Sequence, residues 1–319
     1  MIKPNFICKL NFISATIIFL TNYSLATVYN VTSLANTNTG IGTSGTLFYC
    51  ISQADLIVGP HTINFSVAGT ISITNSTLLP TIVKQITIDG STAPGYAGVP
   101  VVILDGTLAS GGDGIQIGVG GSGSIGSGSQ LYGMQVSNFP YNGILIHSDN
   151  FIIGAPGKGN VIISNHYEGI SVSWGSNGLI QSNWIGIKGD NVTSAGNFYA
   201  GIGIGYASNN VICSNIISSN KYDGIRLSYD TAILVQNNII GMSNDGLCGN
   251  RGNGYFGIFI NYGLNNFVKN NQMVWNNYDG ILIVYSSGNL VSQNSIYCNG
   301  GGSGGSIALG IDLVGGWGN

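Results

Sequence analysis

Tyr222-Asp223-Gly224-Ile225-Arg226-Leu227 is the stretch that decides the fold, because its pattern of Tyr-x-Gly-Ile and a further apolar residue recurs along the chain. The other copies begin Tyr141-Asn142-Gly143-Ile144, Tyr167-Glu168-Gly169-Ile170, Tyr199-Ala200-Gly201-Ile202, Tyr255-Phe256-Gly257-Ile258 and Tyr278-Asp279-Gly280-Ile281, with glycines 26, 32, 23, 33 and 23 residues apart. Self-similarity at such a period marks a solenoid. Each unit holds short Ile/Val-rich runs, such as Gly201 to Ile204 and Val211 to Ser214, bounded by Asn, Ser and Gly. No unit carries ten residues of helical periodicity, so strands joined by turns are expected, one turn of a three-sided β coil per repeat.

Asparagines recur in step with the glycines. Asn165, Asn197, Asn220, Asn253 and Asn276 precede them by four residues; Asn183, Asn215, Asn238, Asn271 and Asn294 follow by fourteen. Asn tolerates left-handed backbone and bonds its local backbone, and identical amides stacked between strands form ladders. Each repeat glycine is expected to permit a bend. Two coils are longer, with the excess at Ile187 to Gly196 and Met242 to Gly252, so one corner of alternate coils is expected to throw out a loop.

Working outward, Ser44 to Ala54 places Leu47, Phe48, Ile51 and Ala54 at helical spacing after Ser44 and Thr46, and predicts a short amphipathic helix closing the N-terminal end. The alternating Ile63, Phe65 and Val67, with Ile71, Ile73, Ile86, Ile88 and Val101 to Leu104, read as the first coils. Ser110 to Gly128 reads as a flexible Gly/Ser loop around Ile115 and Ile117. Leu309 to Leu313 reads as a last strand, followed by Trp317 without an evident cap, so self-association through the C-terminal end stays open. The expected divisions are a signal peptide over 1–26, an N-terminal cap with first coils over 27–110, and repeats over 111–319.

Only 7% of the 319 residues are charged, against about 25% in an ordinary domain, while 44% are hydrophobic. The net charge of -3, with basic residues scattered singly, leaves no electrostatic footprint for nucleic acid or anionic membranes. Lys3 and Lys9, the apolar Ile13 to Leu20 and the small Ser24-Leu25-Ala26 read as an export signal cleaved near Thr27, giving a secreted or cell-surface protein. No later apolar run approaches a membrane span. Of the cysteines then left, Cys50, Cys213, Cys248 and Cys298, none has metal-ligand spacing; free thiols are expected, with Cys213 and Cys298 as small buried fillers.

Asn36 to Ala54, Leu78-Leu79-Pro80, Ile86 to Gly90, Ala93 to Ala97 and Val101 to Gly106 resemble the opening of bacterial secreted right-handed parallel β-helix repeat proteins of the pectin-lyase-like superfamily. Asn160 to Asn165, Ile311 to Leu313 and the Ile-Gly loops above resemble their repeats. The resemblance implies an all-β, right-handed parallel β-helix. It spans lyases, hydrolases, epimerases, phage tailspikes and non-catalytic surface proteins, so it does not choose a function.

Lyases of that fold use a calcium ion on clustered aspartates and an arginine base. Here the acids are eleven Asp and one Glu, mostly isolated, and the arginines are Arg226 and Arg251. Calcium is an expectation only if the protein is a lyase; otherwise no cofactor is expected. The candidate catalytic set is Glu168, Asp223 and Asp279, each before a repeat glycine, with Arg226. Two coils would separate Glu168 from Asp223 by roughly 10 Å, the range of an inverting acid/base pair. The bland reading makes them solvated turn residues; His61, His147 and His166 are not grouped in sequence, and His147 and His166, one coil apart, read as polar edge residues that could touch.

Two aromatic columns point elsewhere. Tyr141, Tyr167, Tyr199, Tyr222, Tyr255 and Tyr278 precede the glycines; Trp174, Tyr206, Tyr229, Tyr262 and Tyr285 follow them by five residues. Between them lie the outward positions Leu145, Ser171, Gly203, Arg226, Phe259 and Leu282. Such rings suit sugar faces, and equally suit a ladder that stabilises the solenoid by stacking on itself. Three readings follow: a non-catalytic β-helix binding a polysaccharide or surface glycan along this face, a polysaccharide lyase or hydrolase, and a structural assembly module.

Overall fold

The computed structural model describes residues 26–75, 78–121, 123–241, 251–300 and 309–314. The expected signal peptide, Cys248, Trp317 and most of the Met242 to Gly252 loop lie outside them. Among the described residues the chain winds as a right-handed coil whose strands stack into three parallel sheets of twelve, nine and eight strands. From Ile86–Asp89 onward each coil contributes one strand to each sheet, the earlier strands adding only to the twelve- and nine-stranded sheets with Gly40–Ile41 antiparallel, and the inward side chains fill the bore.

Register makes the bore regular. In the eight-stranded sheet Ile144, Ile170, Ile202, Ile225, Ile258 and Ile281 are directly paired from coil to coil, and all are fully buried. Alternation in the strand sends their neighbours to solvent. Ile115 and Ile117 belong to the same stack: Ile115–Ile117 pairs with Ile144–Ile146 and both isoleucines are buried. A stretch expected to be a flexible loop thus contributes a strand, because two apolar residues at alternate positions suffice when a neighbouring strand supplies the edge.

The repeat glycines have ordinary backbone angles, so the expected bend is not their reason. A Cβ on Gly143, Gly169, Gly201, Gly224, Gly257 or Gly280 would stand 2.6–2.8 Å from the carbonyl oxygen of the next glycine in the stack. They are glycine because backbones approach each other there.

The asparagines form two buried ladders. Asn165, Asn197, Asn220, Asn253, Asn276 and Asn299 pass Nδ2 to Oδ1 hydrogen bonds of 2.9–3.0 Å along the axis, while each Oδ1 also accepts a backbone N–H. Asn160, Asn183, Asn215, Asn238, Asn271 and Asn294 do the same. Left-handed backbone falls on the residue before the ladder amide, as at Ser164, Ser182, Ser214, Ser219, Asn237 and Asn270. A buried polar side chain needs all its partners, and the stack provides them.

The cap helix runs Leu47–Ala54, with Thr46 accepting from the Tyr49 N–H at 3.2 Å. It buries Leu47, Cys50, Ile51 and Ala54 against the first strands; Cys50, not Phe48, completes the apolar stripe. Cys50, Cys213 and Cys298 are free thiols. Burial pushes the Cys50 thiol up to about 11. Cys298 is exposed and Cys213 half-exposed, so neither is the buried filler expected: Cys213 ends its strand on the outward side, and Cys298 sits at a left-handed turn.

Candidate functional site

The outer face of the eight-stranded sheet gathers most of the residues singled out above. Outward positions on successive coils are Leu145, Ser171, Gly203, Arg226, Phe259 and Leu282, and a second outward row holds Ser173, Gly205, Ser228, Asn261 and Val284.

The aromatic columns border this face. Trp174, Tyr206, Tyr229, Tyr262 and Tyr285 form an unbroken stack with centroids 4.7–5.2 Å apart and planes within 17° of parallel. All five have left-handed backbone, φ 48° to 70°. That conformation is rare and costly for bulky residues, and the position, one residue past the strand, carries no signal of it in sequence. The other column is split. Tyr222, Tyr255 and Tyr278 stack at 4.8–5.2 Å and Tyr199 lies tilted by 37° on Tyr222 at 4.6 Å, whereas Tyr141 meets Tyr167 edge-on at 5.7 Å. Ring faces inside each stack are turned to one another, so edges and hydroxyls are what solvent meets. The rows stay open: Trp174 and Tyr206 are each 52% exposed. The Ile187 to Gly196 loop folds back through an Ile187–Ser194 bridge and sets Gly189 beside Val99 and beside Val161 of the nine-stranded sheet.

At the break in the tyrosine column the face dips into a cavity of about 190 Å³, lined by Glu168, Ser171, Ser173, Gly203, Gly205, Tyr206, Arg226 and Ser228. Its floor is the run of small side chains on three adjacent coils. Arg226 is fixed from three sides. It bonds Asp223 through Nε at 2.9 Å and through its NH2 nitrogen at 2.9 Å, and its guanidinium lies 5.3 Å from the Tyr199 ring centre and 4.8 Å from that of Phe259.

The slot before each repeat glycine separates the candidate carboxylates by task. Asp113 Oδ1 accepts the Asn142 N–H, Asn142 Oδ1 accepts the Glu168 N–H, Asp223 Oδ1 accepts the Phe256 N–H, and Asp279 Oδ1 accepts the Leu309 N–H. In this slot a short acid or amide caps the backbone of the following coil. Asp223 is fully buried and spends its other oxygen on Arg226, so it positions the guanidinium. Glu168 is one methylene longer and departs from the pattern. Its carboxyl extends over Gly203, where an added Cβ would come within 3.1 Å of it. Burial pushes this carboxyl above the usual carboxylate range, against the pull of Arg226. Asp279 belongs to the capping row and does not line the cavity.

The histidines are dispersed. His61 is buried between the Thr27 N–H and the Ile57 carbonyl, His147 Nδ1 faces the Ser173 carbonyl, and the His166 ring packs edge-on to Phe198.

Stacked coils, amide ladders and an open face on one sheet define a right-handed parallel β-helix of the pectin-lyase-like superfamily. Within that class the chain belongs to the family described as periplasmic copper-binding protein NosD, whose model matches residues 106–311. No curated protein matches the chain. Similar solved structures include pectate lyase Pel9A, 13% identical at a TM-score of 0.56 over 89% of this chain and 82% of its own. The mannuronan C-5 epimerase AlgE6 A-module of Azotobacter vinelandii is 16% identical at 0.62, over 89% and 79%. The periplasmic alginate epimerase AlgG is 14% identical at 0.51, over 80% and 59%. At such identities the likeness concerns the fold. Among the described residues no three His, Cys, Asp or Glu side chains come together as a metal site. With the three histidines dispersed and no such cluster, those residues do not fit a copper centre.

Proposed function

We propose that this protein is exported and binds a polysaccharide along the eight-stranded sheet, between the two rows of rings. The observation that carries the reading is the cavity at the break in the tyrosine column. Its floor of Ser171, Gly203, Gly205, Ser173 and Ser228 leaves room for a sugar ring, while Tyr206, Arg226 and Glu168 offer an aromatic edge, donors and an acceptor. A few placed polar groups in an otherwise preformed hollow are what a small-ligand subsite requires. Export is supported by the periplasmic description of the family and by the charged and apolar opening of the chain.

Gly205 supplies a clean test. A Cβ there meets only the Ser228 carbonyl oxygen, at 3.7 Å, and the backbone is not left-handed, so Gly205→Leu fills the cavity without strain. Affinity electrophoresis against a panel of soluble polysaccharides is expected to show wild-type retardation by at least one polymer, and a loss of roughly tenfold or more in Gly205→Leu at unchanged thermal stability. Equal binding by the variant would remove the cavity from the site.

A second reading rests on Glu168, whose carboxyl burial pushes above the usual carboxylate range beside a fixed guanidinium, which suits a general acid in glycan cleavage. Glu168→Gln would then abolish release of shorter products from a bound polymer; a wild type that binds but releases none rules this reading out.

A further inference from the structure

The slot before the repeat glycines carries a second regularity. Acids occupy it on alternate coils, at Asp113, Glu168, Asp223 and Asp279, with Asn142, Ala200, Phe256 and Leu309 between them. Their spacing is two coils, about 10 Å along the axis. Asp312 adds a fifth carboxyl in the outward row, paired with Leu282. Of these five acids only Asp223 is bonded to Arg226, the guanidinium on this strand face, while Asp113 and Asp279 accept main-chain N–H groups of the next coil. Lys221, the next cation in sequence, is exposed on the far side of Tyr222.

In the cavity, the charge left over is that of Glu168. No other residue among those described donates a hydrogen bond to its carboxyl, and Arg226 has its Nε and one terminal nitrogen on Asp223. A uronate carboxylate entering here would meet Glu168 without a free cation to offset it. Like charges brought together on a desolvated face cost several kcal/mol, more than rim contacts return. Sugar hydroxyls and acetamido groups have no such conflict: the Ser171, Ser173 and Ser228 hydroxyls can donate or accept, and a protonated Glu168 can donate.

We infer that the groove takes an uncharged linear polysaccharide laid along the helix axis and excludes polyuronates, with Glu168 the residue that sets this selection. The inference rests on the glycan-binding reading above and narrows it to a substrate class. It also separates this chain from the pectate- and alginate-acting proteins that share its fold. Of the acids in this slot Asp223 is buried on Arg226, and Asp113 and Asp279 accept main-chain N–H groups, so the selection falls on Glu168 alone.

The test is a binding comparison on the full chain. Neutral polymers (mannan, galactan, xylan, mixed-linkage glucan) are set against polygalacturonate and alginate, each with chelator and with added calcium, for wild type and Glu168→Gln. At least one neutral polymer is expected to bind, with both polyuronates weaker by roughly tenfold or more, and the glutamine variant is expected to narrow that ratio at least several-fold. Polyuronate binding equal to or tighter than the best neutral polymer, with or without calcium, overturns the inference and leaves the glycan-binding reading standing. So does a ratio unmoved by Glu168→Gln. Absence of binding to every polymer overturns both.

Discussion

Asp230 is 1% exposed, and only one of its oxygens has a partner: Oδ1 accepts from Asn266 Nδ2 at 2.9 Å, while Oδ2 is buried without one. At the matching places Asn210 and Asn289 give Nδ2 to the Gly175 and Gly263 carbonyls of the preceding coil, whereas Asn266 Nδ2 goes to this carboxyl. Burial pushes the carboxyl from 3.8 to about 6. A carboxyl raised on folding stabilises the fold fully below about pH 4 and loses that contribution as pH rises through 6. Asp230→Asn, neutral at every pH, is therefore expected to melt higher than wild type at pH 7.5, by up to about 3 kcal/mol in stability. The advantage should shrink toward zero by pH 4 in thermal melts across that range; an advantage independent of pH would assign the cost to something other than ionisation. None of this was legible in sequence, where Asp230 is one isolated aspartate among eleven. Glu168, Asp223 and Asp279 likewise look equivalent there, and only stacking shows that one methylene separates a backbone cap from a carboxyl in a cavity.

At the scale of an element, the Trp174 to Tyr285 column combines a cost with a gain. Left-handed backbone at a tyrosine costs on the order of 1 kcal/mol, and stacking on both neighbours returns about 0.5–1.5 kcal/mol for each pair. Tyr229 stacks at 5.1 Å on Tyr206 and 4.8 Å on Tyr262. Tyr229→Ala keeps the backbone cost and loses both stacks, whereas Tyr229→Asn loses the stacks but suits the backbone. Denaturant unfolding is expected to show both variants destabilised, alanine more than asparagine by roughly 0.5–1 kcal/mol. The reverse order would mean that the turn geometry is not what the tyrosine opposes. The columns were visible in sequence as a fixed offset from the glycines. The turn geometry and the break between Tyr167 and Tyr199 were not, because they depend on how coils of different length rejoin. The third amide row, at Asn210, Asn266 and Asn289, escaped notice for a similar reason: Ile233 interrupts it.

For the whole molecule, a repeat of five or six residues was enough to specify a solenoid, since any coil carrying Tyr-x-Gly-Ile and two ladder asparagines presents the same edge above and below. The cavity has no such signature. It exists because Ser171, Gly203 and Gly205 are small on adjacent coils, a coincidence across 35 residues of chain that means nothing until the strands are in register. The close approach of repeat glycines makes their column a uniform joint, identical at every level. Length is thereby decoupled from chemistry: a level can be taken out and the joint closed again. Excising residues 255–277 would bring Tyr222 against Tyr278 and Asn253 against Asn299. The shortened chain is expected to fold with β-rich circular dichroism, Leu282 replacing Phe259 beside Arg226, and its open face about 4.8 Å shorter. If the open face is a ruler for a polymer, the minimum oligosaccharide it holds should shorten with it, while the selection at Glu168 stays as it was.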